Sequence, residues 1–349
     1  MSGKFTLQCP IPEFDFDIIT IGHGSGGRLT NKLLDNGIFS IFKSEELQKR
    51  HDGAIVGVNG QVAFTTDSFV ITPIFFPGSN IGELAVNGTI NDLAMCGAIP
   101  KYLSLSLIIE EGMKITDLWE ILAAIKISCE KSGVQIVTGD TKVVEKGKGD
   151  QIFINTTGIG ELLAHSRIDI NRIEPDDVVI ISGLMGTHGM AILSVREGLS
   201  FETDILSDTR PLHNMTTRLI DQFGEDIKLL RDPTRGGVAT VLNEIAIQRK
   251  FGIALDENSF PVDKQVRAAC ELLGLEPLYV ANEGIFITIA SQYVAEKIVH
   301  TLQEFKEGKH ASIIGVIKNE HNGKVYVKSG IGGNRVVGML SGEQLPRIC

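Results

Sequence analysis

The chain of 349 residues ends in the run GEQLPRIC, with Cys349 as its last residue. A thiol at a free end oxidises readily and packs against nothing downstream. Unless it is an accident, a sulfur in that position needs a user elsewhere in the chain, and several groups of residues could supply one. The run GHGSGGR at 22–28 places Gly24, Ser25, Gly26 and Gly27 together. Closely spaced glycines let backbone N–H groups approach a phosphate without side-chain obstruction. The run matches neither the P-loop pattern nor GxGxxG after a strand, and the same residues would serve equally as a flexible surface loop.

The acids form a second group. Asp52 precedes the apolar run AIVGV, Asp67 ends VAFTTD, Asp92 lies in a helical stretch and Asp140 follows VQIVTG. Carboxylates at strand ends gather at one rim of a sheet, where α/β proteins bind ligands. Asp92 emerges among Ala85, Gly88 and Thr89, a face open to something bulky, and Asn87 and Asn91 share a helix side. Magnesium takes one or two carboxylates plus phosphate oxygens, whereas calcium would need a compact loop of protein oxygens that is not seen. Any one of these acids alone reads as a solvated charge. A third group is LRDPTRGGVATVLNE at 230–244. Here Asp232 offers a magnesium ligand and Arg235 a phosphate clamp, and Gly236 and Gly237 open a helix whose N–H groups face an anion. Lys142 in GDTK and Glu283 in ANEG, each next to a strand and a turn, complete the set.

The elements that must position these residues read as two α/β series. AIVGV and QVAFTTDSF form a strand pair around NG, followed by the helix NIGELAVNGTINDLAMCG and the strand YLSLSLII. The helix TDLWEILAAIKISCEKSG has a cap at Thr116 or Asp117, apolar residues at 118, 121, 122 and 125, and a stop at Gly133. VQIVTG and QIFINTTGIGEL follow as strands. After the polar stretch HSRIDINRIEPDD come the strand VVIISG, the helices RGGVATVLNEIAIQRK and VDKQVRAACELLG, the strand IFITIA, the helix SQYVAEKIVHTLQEF, and the strands ASIIGVI and KVYV. Two domains are therefore expected, 1–166 and 167–330, with a flexible glycine-rich tail over 331–349. A net charge of −10 argues against nucleic acid or an anionic membrane as the main partner. The five cysteines are odd in number and widely spaced, which suggests neither zinc knuckle nor disulfide framework and fits a reducing cytoplasm. No run approaches the ~18 apolar residues of a membrane span.

Taken together, TTDSF, AVNGTINDLAMCGAIP, VTGDTKVV, RDPTRGGV and the terminal PRIC resemble the ATP-dependent superfamily of aminoimidazole ribonucleotide synthetase and selenophosphate synthetase. Within it they are most similar to the HypE family of carbamoyl dehydratases, and PRIC is the most specific element. The resemblance runs from GHGSGG to Cys349. It implies an α/β (α+β) fold of two mixed domains, the first pairing across a twofold into a β-barrel in a homodimer. It also implies that Asp52, Asp67, Asp92 and Asp232 hold Mg2+ and ATP, with Asn91, Asp140 and Thr141 at the nucleotide and the 24–27 loop over the phosphates. Lys142 and Glu283 would serve the proton transfers. Cys349 would carry a carbamoyl group delivered by the carbamoyltransferase HypF. ATP-driven loss of water would make that group a thiocyanate, and the nitrile would pass to iron on a HypC–HypD complex for a [NiFe] hydrogenase. Two other readings stand beside this one. A ring-closing synthetase acting on a free small molecule would turn over ATP without Cys349, and a non-enzymatic docking module would tolerate serine there.

Overall fold

Alternation of apolar and small polar residues builds the first sheet. The computed structural model describes residues 14, 16–50, 53–198, 205–328 and 333–339. These separate into two units, one of residues up to Leu93 with Pro100–Glu161 and the other of Ala94–Ile99 with Leu162 onward. In the first unit, three short helices, α1 (Arg28–Leu33), α2 (Phe39–Ile41) and α3 (Glu45–Gln48), precede the sheet. Its strands are β1 (Val62–Phe69), β4 (Ala98–Glu110), β5 (Gln135–Val144) and β6 (Ile152–Leu162), in the order β1-β6-β4-β5. β2 (Phe75–Phe76) and β3 (Ser79–Asn80) form a small separate ribbon.

Two helices cover this unit. α4 (Ile81–Met95) starts where Asn80 Oδ1 accepts the N–H groups of Gly82 and Glu83, an N-cap that satisfies two otherwise orphaned donors. Its inward face meets β6, where a Cβ on Gly158 would sit 2.9 Å from Leu93 and Thr89. α5 (Ile115–Ser132) stops at Gly133, whose φ of 68° is the left-handed C-cap that glycine adopts without strain. The expected cap at Thr116 or Asp117 falls inside the helix instead, because the chain turns helical after Lys114. The expected strand AIVGV is also absent. Among the described residues, 54–59 enter no strand pairing, and Ile55 is 88% exposed.

The second unit contains a seven-stranded sheet, β7 (Val178–Ile181), β8 (Ile227–Arg231), β9 (Gly252–Asp256), β10 (Ile287–Ala290), β11 (Ser312–Lys318), β12 (Val325–Lys328) and β13 (Asn334–Val337). The order is β13-β12-β9-β11-β7-β10-β8, with β12–β9 parallel and the other pairs antiparallel. Val179 and Ile181 point to a core shared with Leu242 and Ile245 of α8 (Gly237–Arg249). Ile180 points the other way, to a core shared with α7 (His213–Phe223) and α10 (Ala295–Gln303). Burial on both faces is why VVIISG and IFITIA read as continuous apolar runs. α6 (Thr187–Arg196) and α9 (Lys264–Leu273) pack together on a third, smaller cluster.

The sequence reading placed no element at α6, α7, β8 or β9. It also began the tail at 331, whereas Asn334–Val337 pairs with β12 as an edge strand with Val337 fully buried. Residues 340–349 lie outside the described residues.

Candidate functional site

β5 carries the floor of a cavity of about 240 Å³ in the first unit. β5 runs parallel to β4 and approaches it so closely that a Cβ on Gly139 would lie 2.1 Å from the Leu105 carbonyl oxygen. Beyond this point Asp140 and Lys142, two apart and therefore on one face, stand exposed. Lys142 Nζ donates to Asp140 Oδ1 at 2.7 Å, and the Thr141 N–H donates to the same oxygen at 2.8 Å. The Lys142 hydrogen bond, more than any other cause, holds the Asp140 carboxyl below the usual carboxylate range. With both side chains more than half exposed, the ion pair contributes about 0–1 kcal/mol to stability. Its effect is to orient charge.

The glycine loop forms one wall. Residues Ile21–Gly24 make a single 3-10 turn, Ser25 Oγ donates to the Gly22 carbonyl, and the Gly26 N–H donates to Thr30 Oγ1 at 2.9 Å. Gly24 packs on β5, where a Cβ would lie 2.6 Å from the Val143 nitrogen; Gly26 has φ +77°. His23 is buried beneath the loop, 4.2 Å from the Phe16 ring, and its Nδ1 accepts the Thr20 N–H. Burial, outweighing a hydrogen bond to the Thr20 backbone, lowers its pKa and so favours the neutral imidazole. The opposite wall is apolar: Leu34, Ile38, Phe39 and Leu47. Between α1 and α2 the chain makes a wider π turn over Leu34–Ile38, a rare feature that is frequent at functional sites. The cavity therefore offers an apolar wall suited to a flat ring and, opposite it, a wall with little side-chain bulk at Gly24 and Gly26. Of the expected residues it joins Gly24, Gly26, Asp140, Thr141 and Lys142.

Asp67, Asn91 and Asp92 do not line it. Alternation along β1 puts Thr65 and Asp67 on the face that ends in buried Phe69, and Asp92 Oδ2 accepts from Thr65 Oγ1 at 2.9 Å. This places Asp67 and Asp92 on the same side of β1, with Asn91 buried in α4 beside them. Among the described residues no group of three or more His, Cys, Asp or Glu side chains forms a metal cage. That donor set suits a cation held jointly with phosphate oxygens, which needs one or two carboxylates. Asp52 and Cys349 lie outside the described residues.

In the second unit, Asp232 follows β8 and the loop turns on Gly236 and Gly237, both left-handed, into α8. A Cβ on Gly237 would lie 2.6 Å from the Leu278 carbonyl oxygen, so that position too has no room for a side chain. Arg235 is exposed. Asn282, fully buried, ties this loop to its surroundings. Its Nδ2 donates to the Pro233 carbonyl at 3.0 Å, and its Oδ1 accepts the Gly186 N–H at 2.6 Å. Glu283, 4% exposed, comes next, on a turn that leads into β10. The sequence reading missed Asn282, although it lies inside ANEG, and the apolar wall of the cavity. It also missed Asp208, whose bond to the Glu283 N–H spans 75 residues.

Two family models match consecutive parts of the chain: the N-terminal domain of AIR synthase related proteins over residues 50–162, and their C-terminal domain over 174–328. A carbamoyl dehydratase HypE from Rhizobium leguminosarum bv. viciae is 45% identical over 95% of this chain and 95% of its own length. The chain belongs to the HypE family of carbamoyl dehydratases. A HypE crystal structure in complex with ATP superposes with TM-score 0.91 at 44% identity, covering 95% of this chain and 99% of that one. The HypE chain of a HypE–HypF complex gives TM-score 0.78 at 42% identity, covering 90% and 100%. The two mixed α/β domains expected from the sequence are those of this family, and the chain is an enzyme of the dehydratase type.

Proposed function

We propose that this chain uses ATP to dehydrate a carbamoyl group on the sulfur of its own Cys349, giving a thiocyanate that supplies cyanide to the iron of a [NiFe] hydrogenase. The observation that carries this reading is the cavity where the 22–27 loop meets Asp140, Thr141 and Lys142. A relative at 44% identity was solved with ATP, and the two walls suit the base and the phosphates of that nucleotide. ATP supplies the leaving group: once the amide oxygen carries the γ-phosphoryl group it departs as phosphate, and –S–C(O)NH2 becomes –S–C≡N by loss of both nitrogen protons.

The chain's own residues do the rest. Gly24, Ser25 and Gly27 present N–H groups to the phosphates, and Gly26, whose own N–H is bonded to Thr30 Oγ1, turns the loop over them. Asp140 and Thr141 border the nucleotide with Asn91, and Arg235, Gly236 and Gly237 clamp phosphate oxygens. Asp67, Asp92, Asp52 and Asp232 would hold Mg2+, which neutralises triphosphate charge. Lys142 already donates to Asp140, so it serves to steady charge or give a proton. Glu283 is the base that takes the nitrogen protons.

A relative crystallised with HypF supports HypF as the donor that loads Cys349, and the HypC–HypD complex is the proposed acceptor. The outer face of the first sheet exposes Val62, Phe64 and Ile108, with Phe64 at 68%. Apolar residues grouped on one face mark an interaction surface, which supports a homodimer built on this sheet. Phe64→Glu should halve the molar mass in solution. Among the described residues no helix is long and apolar enough to cross a membrane, and a cytoplasmic site of action is part of the proposal.

Intact mass after incubation with carbamoyl phosphate, HypF and ATP tests the reading. A carbamoyl adduct on Cys349 that then loses water is expected. ATP turnover that continues unchanged in Cys349→Ser would refute it.

A further inference from the structure

Glu283 sits on a turn that is gripped from behind by a second acid. The Asp208 carboxylate is buried, with Oδ1 accepting the Glu283 N–H and Oδ2 the Gly284 N–H, each at 3.1 Å. Its own carbonyl lies so close to the turn that a Cβ on Gly284 would be 1.8 Å from it. Arg210 Nε donates to that carbonyl at 2.7 Å. One residue earlier, Ser207 Oγ meets His188 Nδ1 at 2.8 Å and accepts the Thr209 N–H, which fastens the segment to α6. From the other side, Asn282 fastens the turn to the Pro233 carbonyl.

Burying a carboxylate costs several kcal/mol, even after relaxation of its surroundings, and burial pushes the Asp208 carboxyl upward. Two backbone N–H donors could be satisfied more cheaply by a neutral acceptor. A carboxyl group brings two acceptor oxygens on one side chain, and here both are spent on the N–H groups of the residue proposed as base and of its neighbour.

We propose that Asp208 is a positioning residue for dehydration, fixing the main chain of Glu283 so that its carboxylate reaches the carbamoyl nitrogen. This rests on Glu283 being the base. Misplacing a reacting group by ~1 Å costs on the order of 10²-fold in rate. Asp208→Asn replaces one accepting oxygen with an NH2 group that faces an N–H.

The experiment is single-turnover dehydration of the carbamoyl-loaded chain, with ATP affinity measured alongside, for Asp208→Asn, Glu283→Gln and the double variant. Asp208→Asn should slow dehydration about 10- to 100-fold with ATP affinity unchanged. In the Glu283→Gln background it should add little, because both act through one group. Full-rate dehydration in folded Asp208→Asn, equal loss of ATP affinity and rate, or additive losses in the double variant would overturn the proposal. Glu283→Gln at full rate would instead remove the base assignment, and the proposal with it. Hydrogen exchange on residues 281–286 of the unaltered chain gives a check that needs no variant to fold. Slow exchange at Glu283 and Gly284 is expected, and rapid exchange at both would refute the clamp.

Discussion

Gly24→Ala is the sharpest test of the cavity proposed to hold the nucleotide. The added Cβ would lie 2.6 Å from the Val143 nitrogen and 2.8 Å from its Cβ, whereas unstrained carbon contacts sit near 3.5–4.0 Å. Val143 is in β5, so the strand cannot give way without disturbing its pairing to β4. The loop must retreat by about 1 Å, and overpacking of this kind typically costs 1–3 kcal/mol. At about 1.4 kcal/mol per tenfold, ATP should bind roughly 5- to 150-fold more weakly if that cost falls on the loop's closed position. Gly26→Ala probes a different cause, since nothing lies within 4 Å of its Cβ and only its φ of +77° is at stake, worth about 1–2 kcal/mol. Gly333→Ala, with neither clash nor left-handed φ, is the control for removing a glycine. Calorimetric titration with Mg-ATP, alongside thermal denaturation, reads all three. Wild-type ATP affinity in folded Gly24→Ala would refute the view that this loop against β5 forms the phosphate wall.

Other outcomes follow from the same structure. Asp92→Asn keeps the Thr65 contact possible but removes the charge proposed to hold magnesium, so a folded variant should lose Mg-ATP affinity strongly; an unchanged titration would move the metal elsewhere. Burial lowers the pKa of His213, as it does that of His23, so the folded state favours the neutral rings. That stability is present above the ordinary value of about 6.5 and is lost as pH falls below it. Melting temperature should therefore drop between pH 7 and 5, and His213→Asn should flatten the drop; identical slopes would refute this. Burial pushes Cys129 up to about 12 and Cys270 up to about 11, so maleimide at pH 8 should label exposed Cys96 and spare both. Native-state labelling of either at the rate of Cys96 would contradict their burial.

What could be read from the sequence was whatever a short window contains. The apolar period of α5 and its Gly133 stop, and the strands buried on both faces of the second sheet, are local signals. So are the glycine runs and the acids beside them, whose types alone point to phosphate and magnesium. What escaped depends on partners far away in the chain. AIVGV has strand composition, yet no strand among the described residues pairs with it. NRVV has only four residues among glycines, yet β12 accepts it and Val337 is buried. α6 begins after a left-handed Gly186 with no side-chain cap, so none of the usual start signals marks it.

The same distinction divides the proposed functional residues of the two units. Asp140, Lys142, Arg235 and Glu283 are visible because their side chains are unusual where they stand. Asn282 and Asp208 are not, because what they hold is backbone. An Asn bonded to the Pro233 carbonyl, and an Asp bonded to the N–H groups of residues 283 and 284, leave no motif in a window that contains only one partner. A side chain that meets substrate is constrained by chemical type and can be guessed from composition. One that fixes a turn is constrained by the distance to a main-chain atom, which exists only once the sheet has formed. In this chain the groups that set the reach of Glu283 are therefore found in the second unit's folded turn and in no run of the sequence.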